Sequence, residues 1–153
     1  RYSASRKYCL QIKDVLSNDK SNVVVPFRDN VVFIKTYGRC YFEKNHFEQY
    51  TFELNQPGVL DTDYFYLNFT DGAADRNVSS KDYPLTIRNI HLDDEIVIKG
   101  YKVKANRLLI DWKVPLPLRK RWPVILNKEG KVIYIPRYQK YFTLSKDINF
   151  YVK

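Results

Sequence analysis

No apolar run in this chain outlasts a β-strand. Val23–Val25 and Val31–Ile34 are typical: three or four residues, then a turn former or a charge. A membrane-spanning helix needs roughly 18 consecutive apolar residues, and nothing here approaches that. Tyr and Phe number 13 and 9 among 153 residues. Such aromatic and β-branched side chains suit a half-buried pleated surface. With hydrophobic residues at 44%, the chain has enough apolar mass for a packed core, as one domain or two small ones. Many short strands separated by turn signals favour a partly closed barrel over an open sheet.

Read along the chain, Ser5 is placed to cap a helix over Arg6–Ser17, with Cys9, Ile12, Val15 and Leu16 on one face. Val23–Phe27, Val31–Tyr37 and Arg39–Glu43 read as strands joined at Asp29-Asn30 and Gly38. His46–Leu54 alternates in polarity, and Tyr64–Phe69 follows as another strand. The polar stretch Asp71–Asp82 marks the best subdomain boundary. Pro84–Ile90 and Glu95–Ile98 are strand-like. Val103, Leu108, Leu109, Ile110 and Trp112 then suit a short helix over Lys104–Trp112, stopped at Val114-Pro115. Pro117 opens one helical turn over Leu118–Trp122. Val124–Leu126 and Val132–Ile135 flank Lys128-Glu129-Gly130 as a hairpin, and Ile148–Val152 closes the chain. The expected fold is α+β and β-rich: a lead-in helix (1–20), a β-rich subdomain (21–78), and a basic, partly closed barrel-like subdomain with short helices (79–153).

Charge is the second strong signal. Residues 99–140 hold twelve Lys and Arg against Asp111 and Glu129, a net of +10 in a chain whose total is +9. Basicity concentrated in one block of an otherwise balanced chain points to a polyanionic partner. Tyr101, Trp112, Trp122, Tyr134, Tyr138 and Tyr141 are interleaved with these cations, where they serve equally as stacking platforms or as core.

Catalytic signatures are missing. The five glycines are not grouped into a phosphate-cradling loop. His46, His91, Cys9 and Cys40 show no zinc spacing. Asp93, Asp94 and Glu95 read as a cation site or as a solvated turn, and a hard cation would want further oxygen ligands. Two cysteines are too few for a disulfide framework and no secretory leader pattern is present, so reduced thiols and a cytoplasmic location are expected. The chain has no Met and opens Arg-Tyr-Ser, which reads as a fragment or processed piece of a longer protein.

Five pieces in order carry a resemblance. They are Pro84-Leu85-Thr86-Ile87-Arg88, Lys99-Gly100-Tyr101-Lys102-Val103-Lys104, and Leu109-Ile110-Asp111-Trp112-Lys113-Val114-Pro115. Then come Arg119-Lys120-Arg121-Trp122-Pro123-Val124-Ile125 and Gly130-Lys131-Val132-Ile133-Tyr134-Ile135-Pro136. This order resembles the C-terminal region of bacterial tRNA(Ile)-lysidine synthases, which reads P-L-x-I-R, a G-x-K-K-like turn, F-I-D-x-K-V-P, R-x-x-x-P-L-L and G-x-I-x-W-V-P-G. The chain departs from it at Ile90–Asp94, in place of an Arg and a Gly-Asp, and at Arg137, in place of Gly.

The resemblance implies a reaction. ATP adenylates C2 of the wobble cytidine of an isoleucine tRNA with a CAU anticodon, and lysine displaces AMP to leave lysidine. It places that chemistry, with its ATP and Mg, in an N-terminal PP-loop domain bearing S-G-G-x-D-S. No such motif occurs in this chain. The expectation is therefore a tRNA-recognition piece of a carbon–nitrogen ligase, inactive alone, with no cofactor, metal or catalytic residue of its own and no membrane association. The implied fold is a barrel-containing domain similar to one in the β subunit of bacterial phenylalanyl-tRNA synthetase. Candidate tRNA contacts are Arg88, Lys102, Lys104, Arg107, Lys113, Arg119, Lys120, Arg121 and Arg137. Each has a plainer reading: a solvated cation, an Arg88 pair with Asp93 or Asp94, or an Asp111 pair with Arg107 or Lys113. A basic adaptor binding an acidic protein or an anionic surface is the other functional class the composition allows.

Overall fold

The computed structural model describes residues 5–45, 48–70, 78–138 and 150–153. By contacts the chain divides into residues 1–47 and 48–153.

In the first unit, α1 (Arg6–Ser17) is followed by an antiparallel sheet of β1 (Asn22–Pro26), β2 (Val31–Thr36) and β3 (Arg39–Lys44), in that order. Asp29 and Asn30 turn β1 into β2 with φ of 55° and 57°, a left-handed conformation these two residue types tolerate. Val15 and Ile12 pack on Val23, Val25 and Phe33. The Lys35 ammonium donates to the carbonyls of Val15 and Asn18, so a strand side chain satisfies the open carbonyl end of the helix. The expected apolar face is narrower than the spacing suggested, because Cys9 and Leu16 are exposed. Ser5 sits at the N-cap without a side-chain cap bond.

In the second unit, a four-stranded antiparallel sheet runs β11 (Val132–Tyr134), β10 (Pro123–Leu126), β7 (Leu85–Asn89), β4 (Thr51–Leu54). A three-stranded sheet runs β12 (Phe150–Val152), β6 (Phe65–Asn68), β5 (Val59–Asp61), and a hairpin joins β8 (Glu95–Ile98) to β9 (Tyr101–Lys104). Two short helices, α2 (Ala105–Asp111) and α3 (Leu116–Arg119), follow the hairpin.

β10 organises the unit. All four of its residues are buried, as a strand covered on both faces requires. Its side chains alternate. Ile125 faces an aromatic-rich core with Tyr50, Phe65, Leu67, Phe69, Leu85 and Ile87. Val124 and Leu126 face a second core with Ala105, Leu109, Val114, Trp122, Val132 and Ile135. Phe150 of β12 packs against both cores. Among the described residues no ladder closes the strands into a barrel; the fold is α+β, β-rich and at most partly closed.

β4 pairs with β7 and β6 pairs with β12, so strands 51–68 join the C-terminal sheets, while α1 packs on the strands that follow it. Two strands, β5 and β9, went unread. β9 is charged at alternate positions (Lys102, Lys104) and merges into α2 without a break. Asn149 and Ile148, expected in the last strand, lie outside the described residues, as do His46, Lys140 and Tyr141.

Candidate nucleic-acid interface

The β8–β9 hairpin turns at Lys99 and Gly100, with φ of 49° and 84°, the positive values a two-residue turn needs to match strand twist. Directly opposed residues share a face. Ile96 opposes Val103, and Ile96 packs on the helical core. Glu95 opposes Lys104 and Val97 opposes Lys102, which puts both lysines on the outer face. Lys104 pairs with Glu95 at 2.8 Å. That contact draws the Glu95 carboxyl below and the Lys104 ammonium above their ordinary ranges, although both are too exposed for the pair to stabilise the fold much.

α2 buries Ala105 and Leu109, with Leu108 and Trp112 half-buried on the same side. Arg107 and Asp111 lie opposite and pair at 3.1 Å, the partner expected among the alternatives. Ile110 was expected inside, but it is 40% exposed. One residue past Leu109 the helix turns about 100°, away from the core. Lys113 follows in the left-handed region with φ 56° and is exposed.

Arg88 is not a free cation. Its guanidinium donates to both oxygens of Asp94, at 2.8 and 2.7 Å, and to the Asn89 carbonyl at 2.8 Å. Asp94 also accepts the His91 N–H at 2.6 Å, and its own carbonyl receives the Ala105 N–H that begins α2. Burial pushes the Asp94 carboxyl up. The Arg88 hydrogen bonds, the His91 N–H and the Arg88 charge outweigh it, so the carboxyl sits below the ordinary range. Arg88 therefore fixes where the hairpin and α2 leave the sheet. The same network answers the acidic cluster. His91, Asp93 and Asp94 can bring one ligand atom each within 4.8 Å of one another, but the Asp94 oxygens are already held by Arg88 and His91, and Glu95 is held by Lys104. The three acidic side chains thus belong to ion pairs and a turn.

The run Arg119–Arg121 is also held from beneath. Arg119 Nε donates to the Val114 carbonyl at 2.9 Å, closing the corner between α2 and α3. The Tyr50 hydroxyl donates to the Arg121 carbonyl at 2.5 Å, and Asn89 Nδ2 donates to the Lys120 carbonyl at 3.4 Å. Asn89 Oδ1 accepts the Tyr50 N–H at 2.6 Å. Burial, helped by nearby Tyr64, pushes the Tyr50 hydroxyl up, so it remains a donor at any ordinary pH. Trp122 is core, with its indole N–H on the Pro136 carbonyl at 2.9 Å.

Among the described residues, Lys99, Lys102, Lys113, Lys120, Lys131 and Arg137 have no carboxylate within ion-pair distance. All six are exposed. Lys99 and Lys131 were not among the candidate contacts. They flank separate glycine turns, and only the adjacency of β8 and β11 brings them onto one groove with Arg137.

No family model matches the chain. The tRNA(Ile)-lysidine synthase of Shouchella clausii is 28% identical over 155 residues, covering 91% of this chain and 33% of that protein. That of Bacillus subtilis is 28% identical over 160 residues, covering 90% and 33%. That of Geobacillus kaustophilus is 26% identical over 124 residues, covering 70% and 27%. Among solved structures, a crystal structure of the TILS C-terminal domain is 21% identical, with a TM-score of 0.48, over 69% of this chain and 93% of that one. The resemblance carried by residues 84–137 thus extends over most of the chain, which is similar to tRNA(Ile)-lysidine synthases and spans about a third of their length.

Proposed function

We propose that the chain is a tRNA-binding part of a tRNA(Ile)-lysidine synthase, contributing recognition and no chemistry of its own. On this reading the parent enzyme converts the wobble cytidine of an isoleucine tRNA with a CAU anticodon to lysidine, using ATP, Mg and lysine in a PP-loop domain outside this sequence. The observation that carries the reading is the set of uncompensated cations, Lys102, Lys113, Lys120 and Arg137, on a frame fixed by Arg88–Asp94, Asn89 and Tyr50. Duplex RNA is recognised through shape, phosphates and 2′-hydroxyls, which rewards cations held in a rigid pattern.

The test is the salt dependence of tRNA binding. With about four to six phosphate contacts, the log–log slope should be on the order of −3 to −5. Lys102→Glu with Lys120→Glu should weaken binding and reduce the slope by roughly one per lost contact, with stability changed by about 0.5 kcal/mol or less because both sites are exposed. Lys7→Glu with Lys13→Glu, on α1, serves as the control. A flat salt response, or heparin binding as tightly as tRNA at physiological salt, would replace this reading with a basic adaptor.

A further inference from the structure

A groove of about 550 Å³ opens between the hairpin, α2 and β11, within the size range of small-molecule sites. Its walls are apolar: Ile96, Leu108 and Trp112 on one side, Val132 and Ile135 on the other. Lys99, Lys131 and Arg137 also line it, and no carboxylate does among the described residues. We infer that this groove takes one unpaired nucleotide of an RNA, its base against the apolar wall at Trp112 and its phosphate among Lys99, Lys131 and Arg137. The inference rests on the RNA reading above and deepens it.

The physical case is the mismatch between wall and charge. Three exposed cations without described partners demand an anion, while the apolar walls demand a flat, poorly hydrated body. A bare phosphate or a sulfate satisfies only the first. A paired stem satisfies only the first too, because its base faces are stacked away. An unpaired nucleotide satisfies both, since a splayed base stacks on an aromatic ring while its backbone meets Lys and Arg. The absence of a lining carboxylate disfavours a cationic guest. Trp112 is half-buried, with one side on the core and the other in the groove, which suits a stacking wall.

The experiment compares a blunt-ended RNA hairpin with the same hairpin carrying a four-nucleotide single-stranded extension, both titrated onto the full chain. Binding is followed by anisotropy and by the two indole N–H resonances. The extension should tighten binding at least about fivefold, on the scale of one stacked base. The Trp112 resonance should move while Trp122, bound to the Pro136 carbonyl, stays in place. Lys99→Ala with Lys131→Ala should abolish the gain and leave blunt-hairpin binding unchanged. Lys102→Glu with Lys120→Glu should weaken both RNAs equally. Equal binding of the two RNAs with no Trp112 response overturns the groove assignment and leaves the RNA reading intact. An equal Trp112 response to polyglutamate also overturns the assignment, in favour of an acidic peptide. Failure to bind any RNA overturns the RNA reading and this inference with it.

Discussion

Leu109→Ala should cost about 2 to 5 kcal/mol, while Ile110→Ala, one residue on, should cost about 0.5 kcal/mol or less. Leu109 is fully buried between α2 and the face of β10 and β11 that carries Val124, Leu126 and Val132; Ile110 is 40% exposed on the opposite side of the helix. Truncating Leu109 removes apolar transfer energy and leaves a cavity that a tightly packed core refills only partly. Both tryptophans lie in the second unit, so urea unfolding followed by tryptophan fluorescence reports on that unit alone. The affinity of Leu109→Ala for tRNA should fall only in proportion to its unfolded fraction. A cost under about 1 kcal/mol would remove α2 from the core and, with it, the basis for treating the surrounding cations as rigidly placed.

Arg88→Met should cost about 3 to 5 kcal/mol at neutral pH, because it strands the Asp94 carboxylate, 7% exposed, without its charged partner. The pH dependence fixes the sign. In the native protein the folded Asp94 carboxyl lies below the ordinary value near 3.9. The pair's contribution is therefore present above about pH 4 and is lost as pH falls through the folded pKa. In Arg88→Met only burial and the His91 N–H remain, so the carboxyl rises and protonation relieves the variant. The stability gap between native and variant should start to narrow above about pH 4, as the variant's raised carboxyl takes up its proton, and narrow further below it as the native pair is lost. Stability is one readout and the tRNA salt slope is the other. A positioning Arg88 leaves the slope of the folded molecules unchanged, whereas an unchanged stability with a slope reduced by about one would make Arg88 a phosphate contact.

Much of the fold was legible because local signals and tertiary packing agree. The α1 limits, the β1–β2 and β10–β11 hairpins, and α2 all follow from turn residues beside periodic apolar runs. Leu16 and Ile110 were misplaced for one reason: a short helix at an edge buries a narrow stripe, and spacing alone does not say how wide. β9 was missed because its alternation of Tyr101 and Val103 with Lys102 and Lys104 lasts only four residues before α2 begins. The pairing of β4 with β7 is non-local and leaves no trace in composition. For the site, charge concentration was visible at once. Which cations are spent was not: that Arg88 is consumed by Asp94, and that Lys131 joins Lys99, depends on neighbours distant in sequence.

A strand shared by two cores, lying late in the chain, sets an order of events during synthesis. Six of the seven described buried residues of the aromatic core, Tyr50 to Ile87, leave the ribosome first, with β4 already able to pair with β7; Pro123–Leu126 then adds Ile125 and the next strand of the sheet. α2 emerges with only Ile90 and Ile96 to pack on until β10 and β11 arrive. The helical core cannot close before β10, because Val124, Leu126, Val132 and Ile135 all come later, whereas most of the aromatic core is already synthesised. Joining of the two cores thus waits on one four-residue segment, and until it arrives the chain leaves the apolar side of α2 largely uncovered.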